Sequence, residues 1–175
     1  MLREQALVIG EVTLASGRTA QYYVDARRAL LSAAAFTALG ELVAAHAREL
    51  GAVAVGGPTL GADPIACSVL AVSDAGLDAF IVRKDRKEHG LQRWVEGPEI
   101  PAGAPVLVVE DVVTSGGSLV TAIERLHEEN VTIAGALSVV DRLAGGGAAI
   151  EEALGGPPYR SLFTIDDVYP GRPDK

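Results

Sequence analysis

Five short apolar runs recur along the chain with room for a helix between most of them: AVAVGG at 52–57, AFIV at 79–82, PVLVVED at 105–111, AGALSVVD at 134–141 and SLFTI at 161–165. Unbroken runs of Val, Leu and Ile, unlike strictly alternating ones, mark strands covered on both faces. The stretch 32–50 places Phe36, Leu39, Val43, Ala47 and Leu50 at helical spacing, with Glu41, His46, Arg48 and Glu49 largely on other faces. Residues 64–74 and 117–129 also read as helices, the second opening on Gly and Ser and carrying a charged face of Glu124, Arg125, Glu128 and Glu129. Alternating strands and helices predict a mostly parallel central sheet flanked by helices and joined by right-handed crossovers, so the fold class is α/β. The segment before residue 30 departs from this pattern. There EVTL and QYYV flank the turn-rich ASGRTA, which suits a short antiparallel hairpin standing over the sheet as a hood. Gly145 to Gly147 and the run Gly155, Gly156, Pro157, Pro158 read as loops. Neither Gly97-Pro98 nor Pro101 to Pro105 opens a linker, so residues 1–175 are expected to form a single domain, with 1–30 contributing the hood.

Charge adds a constraint. With 15 Lys and Arg against 23 Asp and Glu the net charge is −8, the wrong sign for nucleic acid or an anionic membrane surface as a partner. One stretch reverses it: RKDRKEHGLQR at 83–93 holds five basic residues and two acids, and two of the three lysines. The single cysteine, Cys67, excludes an internal disulfide framework and a cysteine-based zinc site; its apolar surroundings PIACSVLAV lead us to expect it buried. The N-terminal MLREQALVIGEV lacks the apolar run of a signal peptide, and no stretch approaches the roughly 20 apolar residues of a membrane span, so a cytoplasmic location is expected.

The chemistry concentrates in VLVVEDVVTSGGSLVTAIERL, residues 106–126. A buried-type strand ends in two adjacent carboxylates, Glu110 and Asp111, then passes through small and hydroxyl residues into a helix. At the carboxyl end of a parallel strand a ligand crevice is expected. The free N–H groups of Thr114 to Ser118 at the helix start suit a phosphate; Gly116 and Gly117 allow close backbone approach, and Thr114, Ser115 and Ser118 add hydroxyl donors. Two neighbouring carboxylates repel each other unless a ligand engages them, and sugar hydroxyls are suitable donors. Neither G-x-x-x-x-G-K-[ST] nor a G-x-G-x-x-G after a strand is present. GGPTLGADPIA, residues 56–66, leads from a strand into a helix in the same way and forms a second backbone-lined anion site. In the basic stretch, Arg83, Lys84, Lys87 and His89 can offer several donors to a polyanionic leaving group.

VVEDVVTSGGS resembles the phosphoribosyl pyrophosphate (PRPP) signature of type I phosphoribosyltransferases. The resemblance implies that Glu110 and Asp111 hold the ribose hydroxyls and that Val112, Val113, Thr114, Ser115, Gly116, Gly117 and Ser118 receive the 5-phosphate. Two further segments are similar to the orotate-using branch: VTLASGRTAQYYVDARR at 12–28 to its hood, and VRKDRKEHG at 82–90 to its catalytic loop, with VVDR at 139–142 following in the same order. What this branch implies is transfer of the phosphoribosyl group from PRPP to orotate, giving orotidine 5′-monophosphate and pyrophosphate, a step of pyrimidine biosynthesis. Lys87, Arg83, Lys84 and His89 would stabilise the departing pyrophosphate, and Asp111 would serve as a proton acceptor. Tyr22, Tyr23, Thr114 and Arg142 would bind orotate, the Arg142 guanidinium matching a planar carboxylate. Mg²⁺ would travel on PRPP rather than on dedicated protein ligands. A homodimer with shared active sites is also implied. The chain departs from relatives at Leu60 and Gly61, where several carry Tyr-Lys, and at Ala15, where some carry lysine. A purine- or uracil-using phosphoribosyltransferase and a non-catalytic PRPP-responsive regulator are the alternatives at this stage.

Overall fold

The structure, a computed structural model, describes residues 2–13, 19–72, 76–85 and 93–175. A π-helical turn, Leu2–Ala6, leads into an antiparallel hairpin of β1 (Leu7–Thr13) and β2 (Thr19–Val24). The predicted hood is present, and its first strand begins earlier than the EVTL expectation because Leu7 to Ile9 pair with Tyr22 to Val24. A short helix α1 (Arg27–Leu30) connects to α2 (Ala33–Glu49), which Ser32 caps by accepting the amide N–H of Ala35 at 3.4 Å.

Six strands form the main sheet: β3 (Ala54–Pro58), β4 (Asp78–Val82), β5 (Val95–Glu96), β6 (Pro105–Val113), β7 (Thr132–Asp141) and β8 (Tyr159–Thr164). Their order is β5-β4-β3-β6-β7-β8, parallel throughout except for β5. The connecting helices are α3 (Asp63–Leu70), α4 (Gly117–Glu128) and α5 (Gly146–Leu154), with a final turn α6 (Ile165–Val168). The run PVLVV in β6 shows why continuous apolarity was needed. Leu107 and Val109 enter the core shared with α2, α3 and the hood, while Val106 and Val108 enter the core shared with α4 and α5. All four are fully buried.

After β3 the chain turns toward β4, and after β6 toward β7, so the carboxyl ends of two neighbouring strands diverge. That divergence is the topological switch point at which α/β sheets open a crevice.

Three expectations change. Gly145 to Gly147 is not simply a loop: Gly145 caps α5, whose first residue Gly146 donates its N–H to the carbonyl of Thr114 at 3.1 Å. β6 does not stop at Asp111 but continues to Val113, because β7 pairs with it as far as Asp141. Cys67 is exposed, since α3 turns Ile65, Ala66 and Val69 inward and leaves positions 67 and 70 facing out. The apolar run concealed that helical face because residues on both sides of it are hydrophobic.

Candidate active site

The crevice at the switch point holds a cavity of about 760 Å³ whose walls include Tyr23, Arg27, Thr59 to Gly61, Lys84, Glu110, Asp111 and Ser118. Two smaller recesses adjoin it through shared residues. One, of about 160 Å³, is walled by Glu110 and by Val112 to Leu119; the other, of about 130 Å³, lies among Tyr23, Asp111, Thr114 and Arg142.

The two carboxylates differ in setting. Glu110 is 6% exposed, and burial first, then the neighbouring charge of Asp111, pushes its carboxyl up to about 9. Asp111 is less enclosed: its Oδ1 accepts the Val112 N–H at 2.8 Å, and its Oδ2 lies 3.9 Å from Nε of Arg27, which also bonds Asp25 at 3.3 Å. Gly61 sits against both carboxylates. A Cβ there would lie 2.5 Å from Oδ1 of Asp111 and 2.7 Å from Oε1 of Glu110, so side-chain atoms at this position would compete for the space the carboxylates occupy.

Behind the carboxylates the chain makes a glycine turn into α4 where the phosphate loop is expected. Gly116 takes φ +79°, a left-handed conformation that glycine adopts freely, and no side chain caps α4. The N–H groups at its start are therefore directed to the 160 Å³ recess. The turn is held by backbone: an added Cβ at Gly116 would lie 2.8 Å from the carbonyl oxygen of Gly146. Val112 and Val113 belong to β6 rather than to the turn, and the carbonyl of Val113 accepts the Arg142 N–H at 2.9 Å.

Arg142 follows β7. Its guanidinium lies over the Tyr22 ring, with Cζ 4.9 Å from the centroid, and its Nε is buried without a hydrogen-bond partner. The turn carrying it is braced by a polar chain. Tyr159 donates to Asp141 at 3.0 Å, Asp141 accepts the Leu143 N–H at 2.7 Å, and Ser138 bonds both Tyr159 and Ser161. Burial raises the Tyr159 phenol above its ordinary range, so it remains a donor. The tyrosine pair divides as adjacent strand residues must: Tyr23 lines the cavity, while Tyr22 is buried behind Arg142, edge-on to Tyr169 at 5.3 Å and bonded to Asp174 at 3.0 Å. Tyr22 thus supports Arg142 and is not part of the cavity wall.

Of the basic stretch, Lys84 lines the large cavity, whereas Arg83 turns away to pair with Glu96 at 3.1 Å. Lys87 and His89, together with Ala15, lie outside the described residues. Sequence reasoning overlooked Arg27, Thr59, Thr121 and Arg125, all on the cavity wall. Arg27 carried a signal in hindsight, since VDARR places two arginines directly after the hood strand. Among the described residues no group of three or more His, Cys, Asp or Glu could hold a metal ion, and no helix is long and apolar enough to cross a membrane.

An acidic pair backed by a glycine-built phosphate turn, set at the switch point of a parallel sheet and overhung by a hairpin, is the arrangement of a type I phosphoribosyltransferase. A family model of the phosphoribosyl transferase domain matches residues 31–156. Orotate phosphoribosyltransferase of Corynebacterium glutamicum (strain R) is 45% identical over 168 residues, covering 96% of this chain and 90% of that protein. The Mycobacterium tuberculosis H37Rv orotate phosphoribosyltransferase in complex with Fe(III) dicitrate superposes with a TM-score of 0.85 at 42% identity, over 96% of this chain and 94% of that one. The same mycobacterial enzyme in complex with PRPP gives 0.80 at 38% identity, over 95% and 93%. The chain belongs to the orotate phosphoribosyltransferase family.

Proposed function

We propose that this chain transfers the 5-phosphoribosyl group of PRPP to orotate, releasing pyrophosphate. One observation carries the choice of base: the buried Nε of Arg142, lacking a partner, at a recess that also touches Asp111 and Thr114. A guanidinium so placed calls for a planar anion, which the orotate carboxylate supplies and a neutral purine or uracil does not. In the reaction a ring nitrogen of orotate attacks the anomeric carbon, the bond from that carbon to pyrophosphate breaks, and the nitrogen's proton leaves.

The protein's part is positional and electrostatic. The turn Thr114 to Ser118 receives the 5-phosphate, Glu110 and Asp111 accept from the ribose hydroxyls, and Tyr23, Thr114 and Arg142 hold the base, with Tyr22 behind. Lys84 and Lys87, with Arg83 and His89, meet the departing pyrophosphate, and Asp111 can take the proton. Two carboxylates beside a polyphosphate suit a Mg²⁺ ion that is carried mainly by the substrate's oxygens. Glu110 and Asp111 would hold such an ion directly or through water, and when bound it would offset pyrophosphate charge.

We treat residues 1–175 as one catalytic domain acting as a homodimer in the cytoplasm. Support for the dimer comes from Cys67 and Leu70, which leave an apolar outer face on α3, with Leu70 57% exposed. An exposed, unpaired thiol is consistent with a reducing compartment. The decisive assay is PRPP-dependent consumption of orotate, with and without Mg²⁺, beside a panel of adenine, guanine, hypoxanthine and uracil. Turnover of a neutral base in preference to orotate overturns the reading. Sedimentation of the wild type against Leu70→Glu checks the dimer, and an unchanged monomeric mass in both overturns it.

A further inference from the structure

The last turns of α4 make a set of contacts that the reaction described above does not use. Arg125 donates from Nη1 to the carbonyl of Arg83 and from Nη2 to the carbonyl of Lys84, both at 2.7 Å. Its guanidinium also stacks on Trp94, with Cζ 4.3 Å from the ring centroid. One turn further on, Glu128 accepts the indole N–H of Trp94 at 2.8 Å, and Glu129 accepts its backbone N–H. The two strands of chain thus gripped are tied to each other as well: the Arg83 N–H donates to the Trp94 carbonyl at 2.9 Å, and the Arg83 side chain reaches Glu96. Residues 83–84 leave β4 and Trp94 enters β5, so α4 holds both of these points.

A planar guanidinium with its donors in a fixed fork can bind two successive carbonyls at once, which an ammonium cannot do with the same geometry. The result is a defined position for the backbone at Lys84, whose side chain lines the main cavity together with Thr121 of α4 itself. The same helix begins at Gly117, in the phosphate turn. From Gly117 to Arg125 the helix rises about 12 Å, at 1.5 Å per residue, between the turn that takes one end of PRPP and the clamp that places a cation for the other.

We infer that Arg125 is a positioning residue for PRPP, acting through Lys84: it locks the Arg83–Lys84 backbone to α4 and so fixes the distance between the Lys84 ammonium and the phosphate turn. This rests on the proposed function, in which Lys84 meets pyrophosphate. Trp94 is the chain's one tryptophan and reports on the clamp independently of turnover. In Arg125→Ala the Trp94 emission should move to longer wavelength and become more accessible to acrylamide. kcat/KM for PRPP should fall about tenfold while KM for orotate changes less than twofold. Arg125→Lys, which keeps a charged donor but lacks the planar fork, should recover part of the loss. In a Lys84→Ala background the same Arg125→Ala change should cost less than about twofold, because the group being positioned is gone.

An unchanged Trp94 emission overturns the clamp. A full tenfold loss persisting without Lys84 shows that Arg125 acts on substrate directly and overturns the positioning role, and an equal rise in both KM values does the same by revealing a general structural defect. If the wild type does not turn over orotate, the functional reading fails by itself, and the Trp94 emission together with calorimetric binding of pyrophosphate to both variants still decides the clamp.

Discussion

The site's two sides are built from different materials. On the β6 side the wall presents main-chain N–H groups and two carboxylates on a strand with both faces buried, the turn held by Gly116 against Gly146. Elsewhere on the wall the groups are cations at the ends of long side chains, Arg27 on α1 and Lys84 just after β4, with Arg125 on α4. Backbone donors are pre-set and lose little freedom on binding, whereas a lysine must be ordered each time it engages. This division is how a protein of net charge −8 can hold a polyanion: the fixed part supplies N–H dipoles, and positive charge is brought only where it is needed.

The comparison can be broken by substitution. Gly116→Ala should have the largest effect, since it forces a side chain into φ +79° and against the Gly146 carbonyl; we expect a loss of about 2–3 kcal/mol in stability by thermal or urea unfolding. If it costs nothing, the phosphate turn is not a fixed element. Arg142→Ala should raise KM for orotate by roughly 30-fold, about 2 kcal/mol for a charged hydrogen-bonded group, with KM for PRPP nearly unchanged in steady-state assays. On the cationic side, Lys87→Ala should lower kcat about tenfold, equivalent to about 1.4 kcal/mol; a loss as great as that from removing the turn would erase the distinction between the two sides.

A further test concerns pH. Glu110 is raised from 4.5 to about 9 in the folded protein, so between these values the native state holds a proton that the unfolded chain releases. Stability of the ligand-free protein should therefore be greatest below pH 4.5 as far as this group is concerned, and should fall as pH rises toward 9. Glu110→Gln should flatten the profile between pH 6 and 8.5. A slope that is the same in both proteins would place the titration elsewhere.

Much of this was legible in the residues. PVLVV signalled a strand walled on both faces, Phe36 to Leu50 signalled α2 by their spacing, and the Glu110 to Ser118 stretch signalled the strand, glycine turn and helix start found there. What escaped notice was set by three-dimensional neighbours. Gly145 to Gly147 read as a loop because three glycines are poor helix formers, yet Gly146 is required small: a Cβ there would lie 2.6 Å from the Thr114 carbonyl. Cys67 turned outward because helix phase, not local hydrophobicity, decides a side chain's direction. Arg125 looked like part of a solvated face, and only the fold brings Arg83, Lys84 and Trp94 to it across some 30 to 40 residues of sequence.

β6 is paired with β3 over its first half and with β7 along its whole length, and both its faces are covered. Over that first half almost no position lets an inherited change pass unnoticed, because each residue answers to a neighbour on every side. Diversification toward another base would therefore have to be recorded at its borders, in the hood and in the turn after β7 that bears Arg142. Descendants of this scaffold could then exchange the acceptor they modify while leaving their means of handling the sugar phosphate untouched.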